Sequence, residues 1–106
     1  MHYVVIARDK GDLRRVRRAA HLDYVAGRQH LILYAGPLIE GGAMIGSVFI
    51  FDVPDRGALD AYLAGDPYFA DGGIFATVEI YESRKMVPES APGFLAAEAE
   101  RARAQQ

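Results

Sequence analysis

Two kinds of apolar run alternate along the chain, and their order predicts the fold. Tyr3-Val4-Val5-Ile6-Ala7 is short, continuous and β-branched, and it is closed by the turn-forming Arg8-Asp9-Lys10-Gly11-Asp12. Such a run suits a strand buried on both faces, or nearly so. From residue 13 to about 28 the period changes. Leu13, Val16, Ala20 and Tyr24 recur at helical spacing, with Asp12 as N-cap and Gly27 placed to end the helix. The other side of that helix carries Arg14, Arg15, Arg17 and Arg18. It is expected to be a solvated basic face, with an anion contact for one arginine as the alternative. Leu31-Ile32-Leu33-Tyr34-Ala35-Gly36 reads as a second strand that Pro37 either ends or places on a sheet edge. Glu40-Gly41-Gly42-Ala43 is turn chemistry, and residues 44–53 form a third strand rich in β formers. Strand, glycine turn and strand make an antiparallel hairpin.

Pro54-Asp55 opens a second helix, with Asp55 as N-cap and Leu59, Tyr62 and Leu63 as its apolar stripe. It should stop near Gly65, because Asp66 precedes Pro67 and a residue before proline avoids the helical region. After Asp71-Gly72-Gly73 a fourth strand runs from residue 74 to about 84. Ile74, Ala76, Val78, Ile80 and Glu82 are expected to face the core, and Phe75, Thr77, Glu79, Tyr81 and Ser83 to face away. A proline-containing connection then leads to residues 94–106, rich in alanine and charge. This segment is either a helix docked by Phe94 and Leu95 or a frayed tail.

The order β-α-β-β-α-β is that of an α+β, ferredoxin-like fold with one four-stranded antiparallel sheet and both helices on one face. Residues 1–86 make the domain and 87–106 a C-terminal extension. The strands carry large apolar side chains at both parities, Val48 and Ile50 against Phe49 and Phe51. One helix-covered face does not need that many, and an exposed apolar sheet is a liability in a monomer. A homodimer with its sheets facing each other is expected; a monomer covered by the C-terminal segment is the alternative.

Composition narrows the function. The chain has 106 residues, 51% apolar and 25% charged, with net charge -2. No domain-wide basic field exists to hold nucleic acid. Cysteine is absent, which removes disulfides, thiolate metal sites and cysteine nucleophiles. No run approaches the roughly 20 apolar residues of a membrane span. A cytoplasmic protein without membrane partner is expected.

His21 and Asp66 are the candidates for chemistry. His21 lies on the first helix one turn from Tyr24, at the edge of the apolar stripe, whereas His30 falls in a connection and is expected at the surface. An imidazole suits proton transfer near neutral pH, and a carboxylate accepting its N–H fixes the tautomer. Asp66 sits in Gly65-Asp66-Pro67-Tyr68-Phe69. Metal binding is poorly supported, since His21 lacks a second histidine at ligand spacing.

Taken in order, Arg18-Ala19-Ala20-His21-Leu22, Gly27-Arg28, Tyr34-Ala35-Gly36-Pro37, Gly46-Ser47, Asp66-Pro67-Tyr68 and Gly72-Gly73 resemble the YciI-like (YCII-related) proteins. The resemblance implies a dimeric α+β barrel with a cleft between helices and sheet. It implies a His21/Asp66 pair as active site, Arg18 as the cationic member, and Ser47 and Tyr68 as weaker substrate-binding candidates. One activity associated with the family is dehydrochlorination of chlorinated hydroxylated aromatic rings. No cofactor is implied. The chain departs from the family in its short hairpin at residues 40–43 and in its extension after Val87. The expected function is cofactor-independent acid–base chemistry, elimination or isomerisation, on a small hydroxylated aromatic or anionic molecule. The alternative is a non-catalytic small-molecule binding or interaction module of the same fold.

Overall fold

The computed structural model describes every residue, Met1–Gln106. Strand β1 (His2–Asp9) leads to helix α1 (Leu13–Ala26), and a 3-10 turn (Gln29–Leu31) precedes β2 (Ile32–Glu40). Strand β3 (Ala43–Asp52), helix α2 (Arg56–Gly65), strand β4 (Phe75–Ser83) and helix α3 (Phe94–Ala104) follow. The strands form one antiparallel sheet in the order β2-β3-β1-β4, which is the α+β, ferredoxin-like arrangement. The hairpin turns on Gly41 and Gly42, both at positive φ, as a two-residue turn matched to strand twist requires. Strand β2 does not end at Pro37 but runs on to Glu40. It lies at the sheet edge, where a residue without an N–H is tolerated.

One face of the sheet holds the core. Tyr3 and Val5 of β1, Phe49 and Phe51 of β3, and Val53 pack against Leu59 and Tyr62 of α2. Each such burial stabilises by roughly 1.5–3 kcal/mol. Asp55 caps α2 by accepting from the Ala58 N–H at 2.8 Å, whereas Asp12 starts α1 without a side-chain cap bond.

Helix α1 corrects the expected orientation. Val16 is 69% exposed and Leu13 and Ala20 also lie at the surface. The inward face carries Arg14, Arg17, His21, Tyr24 and, just past the helix end, Arg28. The surface opposite is built from aromatic rings and a carboxylate. Guanidinium and imidazole groups satisfy it, and the arginine stems cover apolar area on the way.

Strand β4 carries a second correction. Ile80 lies opposite Val5 and packs against the core, but Val78, opposite Ala7 on this edge strand, is 43% exposed, and the register shifts between Arg8 and Asp9. That bulge exchanges the parity, so Phe75 joins Ala7, Tyr68 and Ile74 in a second buried cluster.

The opposite face holds Val4 and Ile6 against Ile50 and Val48, all half-buried, with Tyr34 and Tyr81 exposed. Residues 94–104 are helical, but α3 buries none of its side chains, and the chain extends over 52 × 32 × 20 Å. Glu89 accepts hydrogen bonds from the Gly93 and Leu95 N–H groups, which hold its carboxyl below the usual range. No helix is long and apolar enough to cross a membrane.

Candidate functional site

Three residues on the inward face of α1 tie it to the end of α2. Arg17 donates to the backbone carbonyls of Pro67 and Ala70 at 3.2 and 3.1 Å. His21 Nδ1 meets Asp66 Oδ1 at 2.8 Å, and Tyr24 Oη donates to the Tyr62 carbonyl at 2.7 Å. Positions 17, 21 and 24 follow one another by a helical turn. Gly65 makes the last contact possible, since a Cβ there would stand 2.6 Å from Tyr24 Oη.

Pro67 sets the position of Asp66. The Asp66 backbone leaves the helix at φ -74, ψ 122, while its N–H still bonds the Tyr62 carbonyl at 3.2 Å. Its own carbonyl accepts from the Phe69 and Ala70 N–H groups, both at 2.8 Å, which folds the turn tightly. The Asp66 side chain is 0% exposed. Oδ1 accepts from His21 and from the Tyr68 N–H at 2.9 Å, and Oδ2 accepts from Tyr62 Oη at 2.8 Å. A buried carboxylate is tolerated only when bonded in this way. Burial, then the charge and hydrogen bond of Asp66, push the Tyr62 phenol far above its ordinary value, so it stays a donor.

With a carboxylate at Nδ1, the His21 proton belongs there and Nε2 is the free nitrogen. His21 is 8% exposed, and its ring stacks on Tyr68 at 3.7 Å between centroids and 5° between planes and meets the edge of Phe49 at 6.1 Å. Nε2 has no protein partner, yet no buried polar atom is left unsatisfied, so Nε2 opens on the adjoining space. That space is a cavity of about 200 Å³. Its walls include His21, Tyr68, Phe49, Ser47, Arg14 and Arg18, together with the apolar Leu22, Pro37 and Met44.

Arg14 holds Asp9 with two hydrogen bonds, Nε to Oδ2 at 2.8 Å and Nη2 to Oδ1 at 2.9 Å, and donates to Ser47 Oγ at 2.8 Å. Its guanidinium lies 4.9 Å from the Tyr68 ring centroid. Burial pulls the Arg14 pKa down, but the bond and charge of Asp9 outweigh it and the net direction is up. Burial raises the Tyr68 phenol, and the charges of Arg14 and Arg18 offset only part of that. Tyr68 therefore keeps its proton at neutral pH and can donate.

The family model of the YCII-related domain matches residues 1–84. The chain belongs to the YCII-related family. Among solved structures it is similar to the 5-chloro-2-hydroxyhydroquinone dehydrochlorinase from Burkholderia phenoliruptrix AC1100 in complex with 2,5-dihydroxybenzoquinone. That likeness has 22% identity and a TM-score of 0.72, covering 85% of this chain and 100% of that one. It is also similar to an antibiotic biosynthesis monooxygenase, with 20% identity and a TM-score of 0.50 over 80% of this chain and 100% of that one. At these identities the likenesses establish the shared fold. No curated protein matches the sequence.

Of the residues named from sequence, His21, Arg18, Ser47 and Tyr68 line one cavity, and Asp66 stands behind His21, off the wall. Arg18 makes no hydrogen bond or ion pair with Asp66, whose side-chain partners are His21, Tyr62 and the Tyr68 N–H. His30 lies at the surface. No three His, Asp or Glu side chains converge as a metal site. Sequence reasoning missed Arg14, which holds Ser47, and Tyr62, which holds Asp66. Both had a signal in their spacing: Arg14 lies two helical turns before His21, and Tyr62 one turn before Asp66.

Proposed function

We propose that this protein is a cofactor-independent acid–base enzyme acting on a small hydroxylated aromatic or anionic molecule, by elimination or isomerisation. The observation that supports it is the 2.8 Å His21–Asp66 contact with Nε2 facing the cavity of about 200 Å³. Asp66 keeps the proton on Nδ1 and stabilises the positive ring formed when Nε2 takes a second one. The proton comes from a ring hydroxyl or an acidic C–H of the substrate. In elimination, the hydroxyl proton taken by Nε2 is returned to the ring carbon that bears the leaving group, so that carbon becomes tetrahedral beside a new carbonyl. A second hydroxyl then gives its proton to Nε2, its electron pair forms a second carbonyl and expels the leaving group as its anion, and the imidazolium passes that proton to solvent. In isomerisation, the imidazolium returns the proton at another atom. Tyr68 donates to a substrate oxygen, Ser47 offers a second polar contact, and Arg18 holds an anionic group. Acid–base help of this kind contributes roughly 10²–10⁴ in rate. A neighbour named for removing chloride from a hydroxylated ring makes elimination the first activity to try.

The test is a panel of halogenated and halogen-free di- and trihydroxybenzenes, read by halide release and product mass. Turnover by the parent that His21→Asn abolishes supports the assignment. Equal turnover by both proteins removes it. Saturable binding without product would instead favour the non-catalytic binding module.

The apolar sheet face supports a homodimer closed through Val4, Ile6, Val48 and Ile50, giving a dimeric α+β barrel. Light scattering should then report twice the 11.6 kDa protomer mass. The protomer mass at every concentration would overturn the pairing.

A further inference from the structure

Arg14, Arg15, Arg17 and Arg18 of α1 differ in what they touch. Arg17 is bound to the carbonyls of Pro67 and Ala70, and Arg14 to Asp9 and Ser47. Arg15 and Arg18 make no hydrogen bond or ion pair with the protein. They stand three residues apart on one helix, where two like charges repel unless an anion lies between them. Both border an open hollow of about 690 Å³. It adjoins the inner cavity, since Arg14, Arg18, Leu22 and Met44 line both. Asp9 and Asp12 also border the hollow. Asp9 is neutralised by its two bonds to Arg14, so the free charges there are two cations and the Asp12 carboxylate.

The two spaces therefore ask for different chemistry. The inner one presents the stacked His21 and Tyr68 rings with Phe49 and suits a flat ring. The outer one presents two unpartnered guanidinium groups, whose planar forks match a carboxylate. We propose that the substrate is a hydroxylated aromatic ring bearing a carboxylate, with the ring against His21 and the carboxylate on Arg18 and Arg15. Arg15 and Arg18 then determine specificity, while Arg14 orders Ser47. The proposal rests on the inner cavity being the ring site, as argued for the function above.

Calorimetric titration of the full chain with hydroquinone, 2,5-dihydroxybenzamide and 2,5-dihydroxybenzoate tests it, because the last two match in shape and differ in charge. The carboxylate should bind about tenfold or more tighter than the amide at low salt, the factor carried by one charge-assisted hydrogen bond. Added salt should shrink that advantage, and Arg15→Gln with Arg18→Gln should remove it. Equal affinity for amide and carboxylate overturns the inference and leaves the ring site standing. So does an advantage that survives the double substitution. If none of the three binds or moves the His21 and Tyr68 ring resonances, the ring site fails and the inference with it.

Discussion

Replacing Asp66 measures how much of the site is organised by one buried carboxylate. Its oxygens accept from His21 Nδ1, the Tyr68 N–H and Tyr62 Oη, all within the protein. In Asp66→Asn the amide oxygen can occupy the Oδ1 site and keep two of these as neutral bonds. The amide NH₂ then faces Tyr62 Oη, which must turn its proton away. Hydrogen bonds to a charged group contribute about 1.5–3 kcal/mol against about 1 for neutral ones, and an unpaired buried donor costs about 1–3 kcal/mol. Asparagine also avoids the desolvation cost of a carboxylate, so the net loss should be on the order of 1–3 kcal/mol. Asp66→Ala removes every acceptor and strands three buried donors, for a loss of about 3–5 kcal/mol. In a domain of this size 1 kcal/mol moves Tm by about 4–8 °C. Thermal melts should therefore rank parent above Asn above Ala. The ¹⁵N spectrum of His21 should show the proton on Nδ1 in the parent and a mixture of tautomers in the alanine variant. An alanine variant that melts with the parent and keeps the Nδ1 proton would refute Asp66 as the organising acceptor.

Gly65→Ala should push Tyr24 off the Tyr62 carbonyl and cost about 1–3 kcal/mol in urea unfolding. Combined with Tyr24→Phe, its cost should be less than additive. Arg17→Met keeps the stem but loses both bonds to the 66–70 turn. It should cost about 1–2 kcal/mol and speed amide exchange at Phe69 and Ala70. The raised Tyr62 pKa gives an alkaline effect of definite sign. Below the ordinary value of 10.0 both folded and unfolded chains hold the proton and its contribution is complete. As pH rises beyond that, the unfolded chain loses the proton first and stability falls. Urea midpoints should therefore drop more steeply above pH 10.0 in the parent than in Tyr62→Phe.

Much of the fold is legible because its signals are local. The β-branched runs, the Gly41-Gly42 turn, the Asp55 cap and the exit forced on Asp66 by Pro67 each act within a few residues. What is not legible depends on partners distant in sequence. The orientation of α1 could not be taken from Leu13 and Val16, because what it faces is the carboxylate and aromatic floor brought by α2 and the 66–70 turn. The side taken by Phe75 depends on a bulge opposite Arg8 and Asp9. The extent of β2 past Pro37 depends on its being an edge strand. His21 and Asp66 can be named from type and position, but their contact rests on Arg17 and Tyr24 fixing α1 against the turn. Arg14 is hidden among four similar arginines until Asp9 and Ser47 are placed beside it.

The central claim is that His21 Nε2 moves protons on a bound hydroxylated ring, and hydrogen exchange of that ring in D₂O tests it without needing a leaving group. Proton NMR of hydroquinone and 2,5-dihydroxybenzoate with the parent protein should show ring C–H signals decaying faster than in buffer, and His21→Asn should return the decay to the buffer rate. Ring signals that persist in the presence of saturating parent protein, or that decay equally fast with His21→Asn, would contradict the account.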